Sequence, residues 1–245
     1  MKAYTQHEGK VINTDSTFSH VMAIALDPRT NYQEGVIRCI TSREGDLTVK
    51  GYVDRSALHM VKKSPDGSFE IGERLSIRDE KEILIPLKGD LDFLGLEDPD
   101  IWIDKKNDLL HLYFTLPLID KIDHSKNRIH LGHAIGKGLD SLEMTEPSLL
   151  ADPIGGAKEL SVAPLNKKGV RFNLVESSKK EEDFTYSVVR LVIAEDMGKP
   201  WRFGDILFHP KERNIPWIGG HASPGPFFSK EFIDMGEGKL LGVIN

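Results

Sequence analysis

Short runs of apolar residues recur along the chain between glycine, proline, asparagine and aspartate residues. No long window keeps the 3.6-residue period of an amphipathic helix, so the pattern predicts β-strands nearly throughout. The predicted strands fall into sets of four. The first set is 21–26, 35–41, 58–62 and 69–77; the second is 101–103, 109–115, 128–135 and 142–150; the third is 159–164, 170–176, 186–194 and 201–208; a fourth begins with 226–228 and 239–244.

The spacing of these sets predicts the fold. Four strands that recur at a period of about 60–75 residues are typical of the blades of a β-propeller. We therefore predict an all-β fold, a single β-propeller domain over residues 1–245 with four-stranded antiparallel blades. A propeller must close its ring to remove its sheet edges, and this chain ends within its fourth set. We therefore expect an incomplete propeller of the five-bladed type, truncated at its C-terminus; a large β-sandwich is the alternative.

Composition and charge limit the classes of function. The 245 residues are 39% hydrophobic and 29% charged, as in ordinary soluble domains. With a formal net charge of -6, the chain is not expected to bind nucleic acid or a membrane. No apolar run approaches the roughly 20 residues of a membrane span, and the first residues lack the apolar stretch of a secretory signal. The single cysteine, Cys39, excludes an internal disulfide, so we expect a cytoplasmic protein with an inert core thiol.

An acidic segment at the entrance of the second set is the strongest candidate for chemistry. Glu97, Asp98 and Asp100 lie close together around Pro99, which suits the start of a strand because it has no N–H to donate. Strand alternation predicts Asp98 and Asp100 on one face and Glu97 on the other. Crowded carboxylates repel, so one of them is expected to hold its proton to a higher pH, as glycosidic bond cleavage requires of an acid. A solvated acidic loop is the alternative.

The same segment carries a family resemblance. Its residues Gly95-Leu96-Glu97-Asp98-Pro99-Asp100-Ile101 resemble the Gly-x-Glu-Asp-Pro-Arg-Ile motif of the family 130 glycoside hydrolases and phosphorylases. The turn at 64–67, the run 35–43 and the Gly- and Pro-rich segment 219–226 also resemble parts of that family. The resemblance implies a five-bladed propeller that acts on β-mannosides. Families 43 and 32 are similar, with acids on equivalent inner strands.

The resemblance implies roles for particular residues. It makes Asp98 the proton donor and Arg43, at the end of a strand, a substrate-binding residue. Two cationic positions of the family have become acidic, because Asp100 replaces the arginine of the motif and Glu176 replaces an arginine of the third blade. The late Tyr-His-Gly of the family is not visible. Since phosphorylases need cations to hold phosphate, these departures favour a hydrolase.

Further site residues follow from position in the sets. Glu159 opens the third set as Asp98 opens the second, and we predict it as the second catalytic carboxyl group. Asp27 is a third acid, for which an Asp-Pro turn is an equal alternative. His221, in a Gly/Pro loop, is predicted to line the pocket together with Asp100 and Glu176. No metal site and no cofactor are predicted, apart from inorganic phosphate as co-substrate if the enzyme is a phosphorylase.

The predicted function is therefore acid-assisted, inverting cleavage of β-mannoside-type or related oligosaccharides. Two alternatives stay open: a β-mannoside phosphorylase, and a propeller that binds carbohydrate without catalysis. The expected partner is an oligosaccharide. The sequence does not predict the sugar, the linkage or the oligomeric state.

Overall fold

The computed structural model describes residues 11–13, 17–49, 51–151, 155–213, 219–228 and 233–245. These residues form sixteen strands and one α-helix. The strands are β1 (Ile12–Asn13), β2 (His20–Leu26), β3 (Glu34–Glu44), β4 (Val53–Lys63), β5 (Phe69–Arg74), β6 (Asp92–Phe93), β7 (Glu97–Asp104), β8 (Leu109–Ile119), β9 (Arg128–Gly136), β10 (Glu143–Met144), β11 (Lys158–Ser161), β12 (Arg171–Glu181), β13 (Phe184–Ala194), β14 (Arg202–Phe208), β15 (Pro224–Phe228) and β16 (Leu241–Ile244), and the helix is α1 (Glu80–Lys88).

The strands form consecutive antiparallel sheets. The first sheet has the order β5-β4-β3-β2, with β1 added in parallel to β5. In the second, β10, β9 and β8 are neighbours, and β7 and β6 both pair with β8. The third has the order β11-β12-β13-β14, and β15 pairs with β16 in the fourth.

One strand from each of the four sheets, β2, β7, β11 or β15, lies next to its counterpart in the neighbouring sheet. β7 packs beside β2 and β11, and β11 packs beside β15, while the later strands of each sheet lie progressively further from this line. This is the radial arrangement of propeller blades, so the predicted β-propeller with antiparallel blades is confirmed. We refer to the four sheets as the first to fourth blades.

Strand β8 shows how the blades are held together. Leu110, Leu112 and Phe114 pack in a core shared with the first blade, whereas Tyr113 packs in a core shared with the third. All four side chains are fully buried. Because alternate residues of a strand face opposite sides, a strand between two blades needs apolar residues at nearly every position. Burial of each such side chain contributes about 1.5–3 kcal/mol, which holds the neighbouring blades together.

Two local predictions are wrong. The predicted strand 142–150 is reduced to β10 and an isolated bridge between Leu149 and Leu131, because Pro147 has no N–H to pair and interrupts the strand between them. No helix was predicted, yet α1 connects the first and second blades. The helix contains Pro86, which obscures its pattern in the sequence because proline usually interrupts helices. Its buried residue is Leu84.

Two smaller expectations concern the core and the membrane. Cys39 is a fully buried thiol within the apolar core of the first blade, as predicted. In the described part of the chain, no helix has the length and apolar character needed to cross a bilayer.

A pair of buried histidines lies between the second and third blades. Nδ1 of His111 is 3.0 Å from Nε2 of His133, and Nδ1 of His133 is 2.7 Å from the hydroxyl of Thr145. Burial, and then the charge of His111, lower the pKa of His133 to about 3. Burial also lowers the pKa of His111, although the charges of Asp104 and Asp196 raise it. Both rings are therefore neutral in the folded protein near pH 7.

We expect this pair to make the fold sensitive to acid. His133 titrates near 6.5 in an unfolded chain and at about 3 in the folded protein. Between these values the unfolded state binds the additional proton, so the free energy of unfolding falls as the pH falls. At about pH 5 one such histidine accounts for roughly 2 kcal/mol. His133→Gln, which cannot titrate, should lose less stability on acidification than the parent protein.

Urea unfolding at about pH 5 and about pH 8 measures this difference. Glu97 and Asp100 have pKa values raised to about 7, so their titration stabilises the fold as the pH falls from 8 to 5. The effect of His133 must therefore be measured as the difference between the variant and the parent protein. Replacement of the exposed His20 by Gln is the control. An equal loss of stability in the parent protein and in His133→Gln would contradict the expectation.

Candidate active site

Three first strands carry the same irregularity. Ala23 in β2, Asp98 in β7 and Glu159 in β11 have positive φ angles of 43°, 45° and 51°. In each strand the register with the second strand of the blade shifts at this residue, as in a β-bulge. A bulge redirects a side chain, and the left-handed conformation costs a non-glycine residue about 1–2 kcal/mol. The three residues thus occupy equivalent positions in consecutive blades, and two of them carry a carboxyl group.

Gly95 places the acidic segment against the first blade. Its φ is 109°, and a Cβ at this position would lie 1.8 Å from the carbonyl oxygen of Ser56. Beside it, the N–H of Ser56 donates to the carbonyl of Leu94 at 2.8 Å. Only glycine permits both the backbone angle and the close approach. The glycine of the motif therefore brings the start of β7 into contact with β4.

Arg38, in β3 of the first blade, binds two carboxyl groups of the motif. Its Nη2 donates to Oε1 of Glu97 at 2.6 Å, and its Nη1 donates to Oδ1 of Asp98 at 2.8 Å. The hydroxyl of Ser56 accepts from Nε of Arg38 at 2.9 Å and donates to Glu97 at 3.0 Å. The hydroxyl of Thr115 donates to Oδ2 of Asp98 at 3.5 Å. The three charged side chains are only 12–14% exposed, so this is a largely desolvated ion cluster.

The predicted facing of the acidic residues is partly wrong. Alternation was expected to separate Glu97 from Asp98, but both bind Arg38, because the bulge at Asp98 interrupts the two-residue period. Asp100 lies directly opposite Tyr113 in the β7–β8 pair, on the face toward the third blade. Burial, and then the charge of Asp100, raise the pKa of Tyr113.

Burial raises the pKa of two of the three crowded acids toward neutral pH. Burial is the main cause that raises the pKa of Glu97 to about 7; the charge of Asp98 adds to it, and that of Arg38 opposes it. Burial alone raises the pKa of Asp100 to about 7. Desolvation therefore contributes more than the repulsion between carboxylates on which the sequence argument relied.

Glu159 shares its electrostatic environment with Asp98. Burial is the main cause that raises the pKa of Glu159, followed by the charge of Glu176. Lys158 and a hydrogen bond with Ser223 lower this pKa, and the charge of Asp98 raises it again. The charge of Asp98 thus reaches the carboxyl group of Glu159.

A cavity of about 220 Å³ lies beside this group and involves two more predicted residues. Oε1 of Glu176 lies 3.1 Å from Nζ of Lys158 and also accepts from the hydroxyl of Ser187. Nε2 of His221 is 3.7 Å from Oε2 of Glu176. The side chain of Glu176 is 4% exposed and that of His221 is 62% exposed, so the cavity has a buried acid at its base and an accessible imidazole.

The two remaining predicted residues, Arg43 and Asp27, bind residues outside the acidic group. Arg43 donates to Asp54, at 2.5 Å from Nε and 2.7 Å from Nη2, across the end of the β3–β4 hairpin. Asp27 follows β2 and accepts from the backbone N–H of Arg29 at 2.8 Å and from its guanidinium, which caps a short turn at Pro28–Thr30. This contact is the Asp-Pro turn that the sequence left as the alternative.

The sequence argument missed Arg38 and Lys158. Arg38 is the one charged residue in the predicted strand 35–41. A charge inside a buried strand requires a partner, so this interruption of an apolar run was the signal that could have identified it. Lys158 directly precedes Glu159 and offered no comparable signal.

The described ranges contain no group of three or more His, Cys, Asp or Glu side chains placed to hold a metal ion. The cations that do contact acids here are Arg38 and Lys158.

The arrangement of the blades is similar to the fold of solved propeller glycosidases. No protein-family model matches the chain, and no curated protein matches it. Solved structures do match, and the resemblance drawn from the acidic motif is confirmed at the level of the fold.

Three of these structures illustrate the similarity. β-1,2-Mannobiose phosphorylase from Listeria innocua, in complex with β-1,2-mannobiose, is 12% identical with a TM-score of 0.52, over 87% of this chain and 66% of that one. Inulosucrase from Halalkalicoccus jeotgali, bound to kestose, is 15% identical with a TM-score of 0.51, over 82% and 55%. A glycosyl hydrolase from Bacteroides ovatus is 16% identical with a TM-score of 0.52, over 83% and 55%. The present chain thus spans about half to two thirds of their lengths.

Proposed function

We propose that this chain is a carbohydrate-active enzyme that cleaves glycosidic bonds, with Asp98 and Glu159 as its pair of carboxyl groups. Glycoside cleavage needs one carboxyl group to protonate the leaving oxygen and a second to activate the nucleophile or stabilise the transition state. The observation that carries the proposal is that both residues occupy equivalent left-handed bulges on neighbouring first strands. Backbone strain of this kind is concentrated at functional sites.

The contacts suggest how the two groups divide the reaction. Asp98 accepts hydrogen bonds from Arg38 and Thr115, an arrangement that suits a carboxylate rather than a carboxylic acid. Burial raises the pKa of Glu159, which suits a group that arrives protonated. We therefore assign Glu159 as the proton donor and Asp98 as the base that accepts a proton from the attacking water. The family resemblance implies the donor role for Asp98 instead, so the two assignments make opposite predictions for the same pair of residues.

β-Mannoside-type oligosaccharides are the proposed substrates, cleaved with inversion. The Gly95–Ile101 motif supports this class, and one structure with the same fold is a β-1,2-mannobiose phosphorylase that holds its disaccharide. Water is favoured over phosphate as the nucleophile, because both cations of the site are already paired with carboxyl groups.

A propeller that binds carbohydrate without cleaving it is the second candidate. It is favoured by Ala23, which leaves the equivalent bulge of the first blade without a carboxyl group. Such a protein would bind the same oligosaccharides and release no product.

Chromatography of the cleavage products separates these functions. The 245-residue chain is incubated with β-1,2- and β-1,4-mannosides, with and without inorganic phosphate. Hydrolysis predicts two free sugars whether or not phosphate is present, and phosphorolysis predicts one free sugar and one sugar 1-phosphate, formed only with phosphate. Binding of a mannoside without any release would favour the second candidate.

A further inference from the structure

A short segment leads the chain into the acidic motif. β6, which consists of Asp92 and Phe93, is only two residues long, and residues 94–96 connect it to β7. Asp98 is the second residue of β7. We refer to residues 92–96 as the entry segment. Because the backbone of Asp98 continues from this segment, contacts that hold the entry segment also fix where Asp98 lies.

Arg55, in β4 of the first blade, binds the start of the entry segment. Its Nη2 donates to Oδ2 of Asp92 at 2.6 Å, and its Nη1 donates to Oδ1 of Asp92 at 3.2 Å. Nη1 also donates to the backbone carbonyl of Phe93 at 3.1 Å. A guanidinium that binds a carboxylate through two parallel N–H groups fixes its orientation as well as its distance. Arg55 therefore holds both a side chain and the backbone of β6.

Ser56, the next residue of β4, continues this contact toward the motif. Its N–H donates to the carbonyl of Leu94 at 2.8 Å, and its hydroxyl donates to Oε1 of Glu97 at 3.0 Å. Gly95 forms a parallel bridge with Ser56. Arg55 and Ser56 thus bind successive parts of the chain, and the last contact is made by the residue before Asp98.

The bond between Arg55 and Asp92 has little weight in the stability of the whole fold. The two side chains are 32% and 30% exposed, and exposed ion pairs contribute little to the free energy of unfolding. The hydrogen bond from Arg55 is the main cause that lowers the pKa of Asp92, so this carboxyl group is ionised near neutral pH. Three hydrogen bonds to the segment before a proposed catalytic group therefore indicate a local role.

Lys121 allows charge to be distinguished from position. Its Nζ lies 3.6 Å from Oδ2 of Asp92, so it presents a positive charge to the same carboxylate as Arg55 does. Its hydrogen bond, however, goes to Oε2 of Glu44 at 3.0 Å rather than to the entry segment. Removal of Lys121 therefore changes the charge beside Asp92 and leaves the bonds from Arg55 in place.

We propose that Arg55 is a positioning residue, which holds the entry segment against the first blade and thereby sets the place of Asp98. It acts through its bonds to Asp92 and Phe93 rather than by contact with the reacting groups. The inference rests on the proposed function in naming Asp98 as a catalytic residue, whereas the placement of the acidic motif by Arg55 does not depend on catalysis.

Steady-state kinetics with β-1,2-mannobiose test the proposal in the parent chain and in Arg55→Gln, Arg55→Lys and Lys121→Gln. Displacement of a catalytic group by about 1 Å can cost about 10²-fold in rate. We expect Arg55→Gln to lower kcat by about tenfold to 10²-fold with KM changed by less than about twofold. Arg55→Lys keeps the charge without the planar fork and should restore only part of the loss. Lys121→Gln, the matched control, should keep the kcat of the parent protein.

The titration of Glu97 is a second readout that needs no activity. Burial is the main cause that raises the pKa of this group to about 7. A loosened entry segment would admit water to the carboxyl group, so its pKa in Arg55→Gln should fall toward the ordinary range of a glutamate. The carboxyl carbon of Glu97, followed by NMR across the pH range in the labelled chain, measures this change. Lys121→Gln should titrate as the parent protein does.

Melting temperatures distinguish a positioning role from a structural one. Because the pair is exposed, all three variants should melt within about 4 °C of the parent protein. The proposal is overturned if Arg55→Gln keeps both the kcat and the Glu97 titration of the parent protein. It is also overturned if Lys121→Gln is impaired as much as Arg55→Gln, or if kcat falls only in parallel with the melting temperature.

The two readouts separate this inference from the proposed function. If the parent protein cleaves no glycoside but the titration of Glu97 changes in Arg55→Gln alone, Arg55 places the acidic motif and the proposed function is wrong. If the parent protein cleaves the disaccharide and Arg55→Gln does so with the same kcat, the proposed function stands and the positioning role of Arg55 is wrong.

Discussion

Asp98→Asn and Glu159→Gln should each reduce glycoside cleavage by about 10²–10⁴-fold, the usual contribution of a positioned proton transfer. Both substitutions keep the shape of the side chain and remove its ability to act as acid or base. If only one of the two variants loses activity, the proposal that both carboxyl groups are catalytic is wrong. Asp104→Asn is the matched control, because Asp104 is the last residue of the strand that carries Asp98 and accepts a hydrogen bond from the side chain of Asn107.

The leaving group of the substrate separates the two roles. The nitrophenolate group of a nitrophenyl glycoside can leave without protonation. A variant that lacks the proton donor should therefore lose less activity on this substrate than on a natural disaccharide. If Glu159 is the donor, Glu159→Gln should show this difference and Asp98→Asn should be equally impaired on both substrates. The reverse pattern would assign the donor role to Asp98, as the sequence resemblance implied.

Arg38→Leu should destabilise the fold more than any other single substitution in the site. It leaves Glu97 and Asp98 close together without their shared cation, and breaking a buried ion pair in this way costs about 3–5 kcal/mol. A value toward the lower end is expected, because the side chains remain 12–14% exposed. Arg38→Lys should restore only part of the loss, since an ammonium group cannot span both carboxylates in the way a guanidinium does.

The pH dependence of this loss gives a second readout. Arg38 lowers the pKa of Glu97, so its removal raises that pKa further above the unfolded value. The folded state then binds more protons than the unfolded chain, and stability increases as the pH falls. The deficit of Arg38→Leu should therefore be larger at about pH 8 than at about pH 5 in urea unfolding. Arg43→Leu, which removes a single ion pair with Asp54, is the control with the smaller expected loss. If the loss of unfolding free energy in Arg38→Leu is the same at both pH values, charge interactions do not stabilise the cluster.

The strands of the blades could be predicted from the sequence because their signal is local. A strand such as β8, with apolar residues on both faces, produces a continuous run of apolar residues that the sequence shows directly. Helix α1 could not be predicted in the same way. Pro86 argues against a helix, and the packing of Leu84 into the core between the first two blades decides the conformation instead.

The candidate site was predicted as a set of residues but not as a geometry. The positive φ angles of Asp98 and Glu159 depend on register shifts against the second strand of each blade, which no local pattern reports. The same bulge brings Glu97 to Arg38, against the expectation from alternation. The role of Arg38 depends on a contact between two blades. The cytoplasmic location and the extent of the complete domain stay predictions.

The most direct test of the central claim is an NMR time course of the 245-residue chain with a β-mannoside disaccharide, beside the Asp98→Asn/Glu159→Gln double variant. The account predicts that the parent protein releases the sugar first as the α-anomer, without added phosphate, and that the double variant releases none above background. Equal release by the parent protein and the double variant, or no release by either, would contradict it.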